Sequence, residues 1–565
     1  MMRTALVLDA DSPAGLEALQ SLGRKGLATH AASPDDCLAF RSRRVSRRWK
    51  QPISEPTAFL RWLRDLDAEQ AYALIVPSTE RSLRMLLSLP DDDALVAKAV
   101  LAPRASLETA LDKWATAELA LSCGVPTLPT RLLTSLSDLA GARSFPVVLK
   151  TLRSVVDMDG ELTHVPARLA RDAEERQRFC ELFLPHTPVI EQTYERGHGV
   201  GIELLYDRGR RIWHFCHERL HEGTGQEGLG SGSLYRRSAV APPDLLHYAT
   251  AMLDRLSWHG VAMVEFLVAP TGESWLMEIN PRLWGSVALP IDAGVDFPAG
   301  LLLLATAQAV PPQPGYRVPY YTRRAPEDSV WLLGKARSRP AWVLRELLLM
   351  SRLLTGRESW DHFDWGDLAV TVAGWGRASK AMTKSVGRRL RERLEWRRAR
   401  RRHRQNLSAA RRRVVRTALF LCHGNICRSP VAGSLAQQRL QGWAISSAGF
   451  ITEAGRPSPS CLQEAARLLD LDLSTWRSLR VSRQMVESAD VVFLMDMRNL
   501  RAFQEEFPDA LGKVLFLGMF LPEPAEIADP YGQDVERTVV VLRDIQAAIE
   551  RVAALFSTRR TGVST

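Results

Sequence analysis

The sequence predicts an α/β protein of several domains, and three observations carry that prediction. The chain begins with "TALVLDADSPAGLEALQSLG", an apolar run, a polar turn and an amphipathic stretch, and "YALIVPST" and "AVLAP" repeat the apolar run at spacings that leave room for helices. A second strand-to-helix junction, "LFLCHGNICRSP", returns only at Leu419 to Pro430. The 565 residues exceed what one core holds, since domains run to roughly 100–200 residues.

Composition narrows the class. Hydrophobic residues make up 46% of the chain and charged residues 24%, an ordinary globular balance in which disorder is local at most. The N-terminus lacks the charged-then-apolar order of a secretory signal. No apolar run reaches the roughly 18 residues that a spanning helix needs. Seven cysteines show neither metal-ligand nor disulfide-framework spacing. The expectation is a cytoplasmic protein whose cysteines mostly pack.

The N-terminal α/β segment, residues 1–110, has no G-x-G-x-x-G in its first turn, which disfavours a dinucleotide site there. Polar groups gather in residues 111–330. Lys113 lies on a helix leading to a Gly-Val-Pro turn, and Lys150 ends the strand "FPVVLK"; each alone reads as a surface lysine. Glu191 ends an apolar strand in "VIEQTYERGHGVG". In "GVAMVEFLVAPTGESWLMEINPR", Glu265 and Glu278 face one another across a hairpin, with Asn280 on the Glu278 face by period-two alternation. Two carboxylates and an amide oxygen make a hard site for Mg2+ or Mn2+.

This stretch, with "MEINPRLWGS" as its most specific element, resembles the ATP-grasp superfamily of carboxylate–amine and carboxylate–thiol ligases over roughly residues 1–330. The resemblance implies an N-terminal α/β domain followed by an ATP-grasp domain. It puts Lys113 and Lys150 on the ATP phosphates, Glu191 and its neighbouring backbone on adenine and ribose, and Glu265, Glu278 and Asn280 on magnesium, with Arg282 stabilising an acyl phosphate. The implied substrates are ATP, a small carboxylate and an amine or thiol. "TLRSVVDMDGEL" is a poor glycine-rich flap; "HEGTGQEGLGSGSLYRRS" suits a cover or substrate loop, against the plainer reading of a solvent loop, and offers Arg237 as a carboxylate clamp.

Residues 331–376 include "PAWVLRELLLMSRLLTG", whose apolar stripe completes the ligase half or, alternatively, lies in a membrane plane. Residues 377–416 hold 17 Lys/Arg against Glu392 and Glu395, a local charge of +15 within a chain whose net charge is +10, so the remainder is acidic. Such a run reads as a linker, partly helical, that seeks an anionic partner or membrane surface. Its only aromatic residue is Trp396, too little for the stacking platforms of specific nucleic-acid binding.

In residues 417–560, "LFLC" is a strand and "SPVAGSLAQQRL" has helical spacing, so Cys422 to Arg428 form the connecting loop. A loop of this kind aims backbone N–H groups at one spot at a helix N-terminus, where an anion is favoured. A cysteine six residues before an arginine can close around a phosphate, sulfur on one side and guanidinium fork on the other. The stretch resembles the low-molecular-weight protein tyrosine phosphatase family: Cys422, Arg428 and Ser429 match its C-x5-R-S loop, Asn425 its loop-shaping position, "ISSAGF" its Ser-Ala-Gly strand, "ADVVFLMDMRNL" a later strand and turn, and "IADPYG" its acid loop. By that resemblance the domain is a flavodoxin-like parallel sheet. Cys422 attacks phosphorus, Arg428 and Asn425 serve the phosphate, Ser429 supports the thiolate, Asp529 protonates the leaving group and Tyr531 walls the entrance; the substrate is a phosphorylated protein or small phosphomonoester. Cys427 reads as packing or as a reversible disulfide partner of Cys422. Trp476 departs from the histidine common in the family. Arsenate reduction is disfavoured, because no cysteine follows Cys461.

The whole is read as a fusion of a ligase and a phosphatase. The rival reading makes the ATP-grasp half a nucleotide-sensing module that regulates the phosphatase.

Overall fold

In the computed structural model, which describes residues 3–557 apart from 54, 141–143, 159–160, 224–231, 336–339, 532 and 534, the chain divides into two units, Met1–Thr383 and Lys384–Thr565. Residues 224–231 of the glycine-rich segment proposed as a cover fall outside the described residues.

The first unit opens with strands β1 (Thr4–Leu8), β2 (Ala28–Ser33), β3 (Val45–Lys50) and β4 (Leu74–Pro77), parallel in the order β3-β2-β1-β4. The first crossover helix, Pro13–Arg24, begins where the sequence dictates: the Ser12 hydroxyl accepts from the Gly15 N–H, and Pro13 supplies a preset first turn. Next come β5 (Thr130–Leu133), β6 (Val147–Thr151), a hairpin of β7 (Val155–Met158) and β8 (Glu161–His164), then β9 (Arg168–Ala170) and β10 (Val189–Thr193). Four of these form an antiparallel sheet in the order β5-β10-β6-β9.

A seven-stranded sheet follows, built from β11 (His198–Asp207), β12 (Arg210–Glu222), β13 (Ser233–Ser238), β14 (Gly260–Val268), β15 (Ser274–Asn280), β16 (Tyr321–Arg323) and β17 (Glu358–Trp360) in the order β15-β14-β11-β12-β13-β16-β17. Its two faces differ. Ile202, Leu204, Tyr206, Cys216, Ala262, Val264 and Ile279 bury one face in a core shared with Leu245, Ala249, Met252 and Leu253 of helix Pro243–Arg255. The other carries the charged residues described below. Residues 331–376 supply β17 as the sheet's edge. They also return to the N-terminal sheet, where Asp367 accepts from Ser42 and from the Arg43 N–H and Asp364 accepts from Arg44. Leu344 and Leu348 on helix Pro340–Leu349 are exposed. Among the described residues no helix is long and apolar enough to cross a membrane.

The second unit is a parallel sheet of β18 (Thr417–Cys422), β19 (Ala444–Gly449), β20 (Val491–Leu494) and β21 (Val514–Phe516), ordered β19-β18-β20-β21. This is the start of a flavodoxin-like order, which places a ligand site at the carboxyl ends of the central strands. One finding corrects the linker expectation. A single helix spans Leu368–Ala410, and from Trp396 onward it is part of the second unit's core. Trp396 packs edge-on to Phe516 at 5.6 Å, the Phe516 N–H donates to His403 Nδ1 at 3.1 Å, and Asn406 Nδ2 donates to the carbonyls of Leu511 and Val514 at 2.8 and 2.9 Å. The helix thus satisfies the edge strand β21, which would otherwise present unpaired backbone groups. Arg397, Arg398, Arg401 and Arg404 lie on its outer side.

Candidate active sites

In the second unit, β18 delivers Cys422 to the start of a loop and the helix Arg428–Arg439 begins as the loop ends. Asn425 has φ +53°, a left-handed conformation that asparagine tolerates better than most residues. This bend sends the Asn425 N–H to Cys422 Sγ at 3.2 Å, and the Ser429 hydroxyl donates to the same sulfur at 3.0 Å. Two donors oriented on one sulfur distinguish Cys422 from a cysteine that only packs. The Asn425 side chain fixes the bend: Nδ2 donates to Ser429 Oγ at 3.0 Å and Ser447 Oγ at 3.2 Å, while Oδ1 accepts from the Leu479 N–H at 2.7 Å. Its carbonyl accepts from Trp476 Nε1 at 2.9 Å, so the tryptophan that departs from the family pattern is a donor to the loop. The loop lies so close to Gly449 that a Cβ there would fall 2.7 Å from the Asn425 nitrogen. That contact explains a glycine at the end of the "SSAG" strand.

Arg428 is buried. Its Nη2 donates to Asp529 at 2.8 Å, and its Nη1 donates to the Ile527 carbonyl at 3.0 Å and to Asp496. Burial alone would lower its pKa; the negative charges of Asp529, Cys422 and Asp496 outweigh that and raise it. Its Nε is buried without a hydrogen-bond partner among the described residues, a donor left over for an anion. Asp529 and Tyr531 are partly exposed at the mouth. Cys427 sits in the apolar core, where burial pushes its thiol up. Asp496 escaped the sequence reading. Its signal was there, as the N-cap of helix Met497–Glu506 within "MDMRNL".

In the first unit, cross-strand register brings Glu265 directly opposite Glu278, and Asn280 Nδ2 donates to Glu278 Oε1 at 2.8 Å. Lys150 Nζ donates to Gln192 Oε1 at 2.9 Å and Lys113 Nζ to Ser154 Oγ at 2.9 Å. Burial pushes Lys150 down to about 8, with Glu278 opposing and Lys113 adding to the shift. Glu278 is held low: burial raises it, but Lys113, the Asn280 amide and Lys150 prevail. Glu265 is raised, by burial first and despite Arg219. Arg282 donates to the Leu283 carbonyl at 2.9 Å and is pushed down by burial against the fields of Glu278, Glu80 and Asp9. Five of the expected groups therefore interact electrostatically around Glu278.

Glu191 does not join them. Lys150 lies opposite Ile190 in the ladder, so Gln192 shares the Lys150 face and Glu191 points to the other, where its buried carboxylate pairs with Arg176. The Glu191 side chain is thus turned away from Lys150, one of the lysines expected at the ATP phosphates, and Gln192 is the residue that alternation puts on the Lys150 face. Arg237 is likewise engaged, its Nε donating to Glu218 at 2.7 Å. Arg219, whose Nη2 donates to Glu265, was not anticipated, because only the β12–β14 spacing reveals the encounter. Among the described residues no group of three or more His, Cys, Asp or Glu could hold a metal, so a cation here would rest on two carboxylates and the Asn280 amide. That oxygen donor set fits a hard divalent ion.

Comparison with known proteins separates the halves. The family model for low molecular weight phosphotyrosine protein phosphatase matches residues 417–560. The probable low molecular weight protein-tyrosine-phosphatase EpsP of Ralstonia nicotianae is 32% identical over 146 residues, 25% of this chain and 99% of that protein. Solved structures similar to the N-terminal part include an L-amino acid ligase from Bacillus licheniformis, 16% identical, covering 54% of this chain and 74% of that one with a TM-score of 0.42. Another is N5-carboxyaminoimidazole synthetase from Staphylococcus aureus complexed with ADP, 16% identical, covering 60% and 87% with a TM-score of 0.46. Through residues 417–560, the chain belongs to the low molecular weight phosphotyrosine protein phosphatase family.

Proposed function

We propose that the chain is a bifunctional enzyme, a phosphomonoester hydrolase acting through a phosphocysteine and an ATP-dependent ligase acting through an acyl phosphate. For the hydrolase, the supporting observation is the convergence of Asn425 N–H and Ser429 Oγ on the Cys422 sulfur beside the Arg428 fork. Arg428 holds the phosphoryl oxygens while the Cys422 thiolate attacks phosphorus, forming the S–P bond as the P–O bond to the leaving group breaks. Asp529 gives its proton to the departing oxygen. In the second half Asp529 takes a proton from water as that water displaces phosphate from sulfur, which restores the thiolate. Ser429 and the Asn425 N–H stabilise the sulfur charge at both ends. The substrate would be a phosphotyrosyl protein or a small aryl phosphomonoester.

For the ligase, support comes from the cluster of Lys113, Lys150 and Arg282 around Glu278. Lys113 and Lys150 would bind ATP phosphates, with Gln192 beside them. Glu265, Glu278 and Asn280 would hold a divalent ion, Mg2+ or Mn2+, whose charge offsets that of the nucleotide. Arg282 would neutralise the acyl phosphate formed when a carboxylate oxygen takes the γ-phosphoryl group and ADP departs. An amine or thiol then attacks the acyl carbon, phosphate leaves, and the nucleophile's proton is released.

Phosphate trapped on Cys422 from an aryl phosphate, recovered at alkaline pH where an S-phosphoryl group survives and released by acid, tests the first half, and its absence under turnover would end that reading. A screen of carboxylate and amine pairs for ADP release tests the second. ADP release that depends on both additions separates turnover from a nucleotide-sensing module.

A further inference from the structure

The polar face of the seven-stranded sheet continues beyond the proposed metal ligands. Register fixes its membership: Gly201 pairs with Glu265 on one side and His217 on the other, Arg219 pairs with Arg236, and Arg236 pairs with Thr322, so these residues share a face across β14, β11, β12, β13 and β16. Gly201 makes room. A Cβ there would come within 2.3 Å of His217 Cε1, so the imidazole lies over the glycine toward β14. His217 Nδ1 hydrogen-bonds Glu203, and both side chains are fully buried.

Within this row the hydrogen-bond balance is one-sided. His217 Nε2, Arg219 Nε, Arg236 Nε and Thr322 Oγ1 are buried without hydrogen-bond partners among the described residues, against a single such acceptor, Glu203 Oε2. Burial raises Glu203 well above the carboxylate range, over the opposing fields of Arg236 and Arg219 and with Glu265 adding to the rise. Glu203 occupies His217 Nδ1, so Nε2 is the imidazole atom left for a ligand. Burial, then Arg219 and Arg236, keep the imidazole neutral. Buried donors on this scale call for acceptors from a ligand. Arg236 already donates Nη2 to both Asp361 oxygens at 2.6 and 2.7 Å and Nη1 to the Ser233 carbonyl at 3.4 Å, and Arg219 donates Nη2 to Glu265, so the free donors are the remaining N–H groups of paired guanidiniums.

We propose that this row binds the acid substrate of the ligase and that the acid carries a second carboxylate, as in four- and five-carbon diacids such as L-aspartate, L-glutamate or succinate. The proposal rests on the ligase reading for one carboxylate. Arg219 and His217 on β12 would receive the group to be phosphorylated, and Arg236 on β13, one strand further, with Thr322 beyond it on β16, the second. Adjacent strands lie about 4.8 Å apart, close to the carboxyl separation in such diacids.

The test uses the full chain with Mg2+ and ADP present and measures calorimetric affinity for L-aspartate, L-glutamate and succinate, with L-alanine and butyrate as monoacid probes. At least one diacid should bind tenfold or more tightly than either monoacid, and Thr322→Val and Arg236→Lys should each weaken it about five- to tenfold, with ADP affinity unchanged as the control for folding of the first unit. Diacids no tighter than monoacids, or variants that bind them like the wild type, would overturn the proposal. Variant-sensitive diacid binding without ADP release from ATP in any amine mixture would leave the site standing and sink the ligase reading. ADP release with a monoacid, and no diacid affinity, would do the opposite.

Discussion

The phosphatase site and the proposed ligase site are assembled in opposite ways. Cys422, Asn425, Arg428 and Ser429 come from eight consecutive residues, and Asp529 and Asp496 arrive from elsewhere to pair with Arg428. Lys113, Lys150, Glu265, Glu278 and Arg282 come from a helix, three strands and a loop of two sheets, and no two adjacent residues share a role. A local loop carries its geometry in a few backbone dihedrals; a dispersed site inherits it from strand register. The first should fail through single atoms and the second through packing.

The largest expected effect exploits that separation. Cys422→Ser removes the nucleophile and should lower aryl-phosphate turnover by roughly 10⁴-fold or more, while ATP consumption in the presence of a productive acid stays at wild-type level. Glu278→Ala should do the reverse, because it leaves Lys113 and Lys150 without their shared carboxylate. Loss of both activities in either variant, measured on folded protein, would mean that the two sites are one functional unit. Next in size is Asp529→Asn, which keeps a partner for Arg428 but has no proton to give. Single-turnover kinetics with an aryl phosphate should show phosphorylation of Cys422 slowed by about 10²- to 10³-fold, most for poor leaving groups. An equal loss with every leaving group would remove Asp529 from the acid role.

The contrast also governs what could be read from the chain. The phosphate loop was legible because strand, turn and helix follow one another, so the spacing from Cys422 to Arg428 is itself three-dimensional information. Glu265, Glu278 and Asn280 were legible as a hairpin because alternation has a period of two. The same rule, applied to "VIEQT", could have chosen between Glu191 and Gln192, but the facing side is set by which strand pairs with β10. Arg219 reaches Glu265 across an intervening strand whose facing residue is glycine, and no local pattern encodes that. The basic run misled for a related reason. Charge dominates its composition, yet Trp396, Ala399, His403 and Asn406 recur at helical spacing on one side and dock it on β21.

His403 converts that docking into a pH dependence. Burial holds its imidazole at about 4, and it must stay neutral to accept the Phe516 N–H. The unfolded chain titrates it near 6.5, so between those values unfolded protein binds the proton and folded protein does not. Stability of the second unit is therefore complete above about pH 6.5 and declines as pH falls toward 4, by at most about 3 kcal/mol. Urea unfolding, followed by loss of aryl-phosphate hydrolysis on dilution into one assay buffer, should give a midpoint that drops between pH 7 and pH 4.5. His403→Gln should flatten that drop; an unchanged slope would return the helix to the status of a linker.

The smallest expected effect tests how local the phosphate loop really is. Trp476 stands 51 residues after Asn425 and touches it through one hydrogen bond, Nε1 to the Asn425 carbonyl at 2.9 Å. Trp476→Phe keeps an aromatic ring and deletes the donor, at a cost of about 1 kcal/mol in stability. The left-handed turn at Asn425 would still be held by Ser429, Ser447 and Leu479, so kcat/KM for an aryl phosphate should fall only about two- to fivefold. Trp476→His, which supplies a ring N–H in either protonation state, should recover most of that loss if its nitrogen reaches the same carbonyl. A fall of a hundredfold or more in Trp476→Phe, with stability intact, would mean that the loop depends on distant packing as heavily as the ligase site does, and the contrast between the two would dissolve.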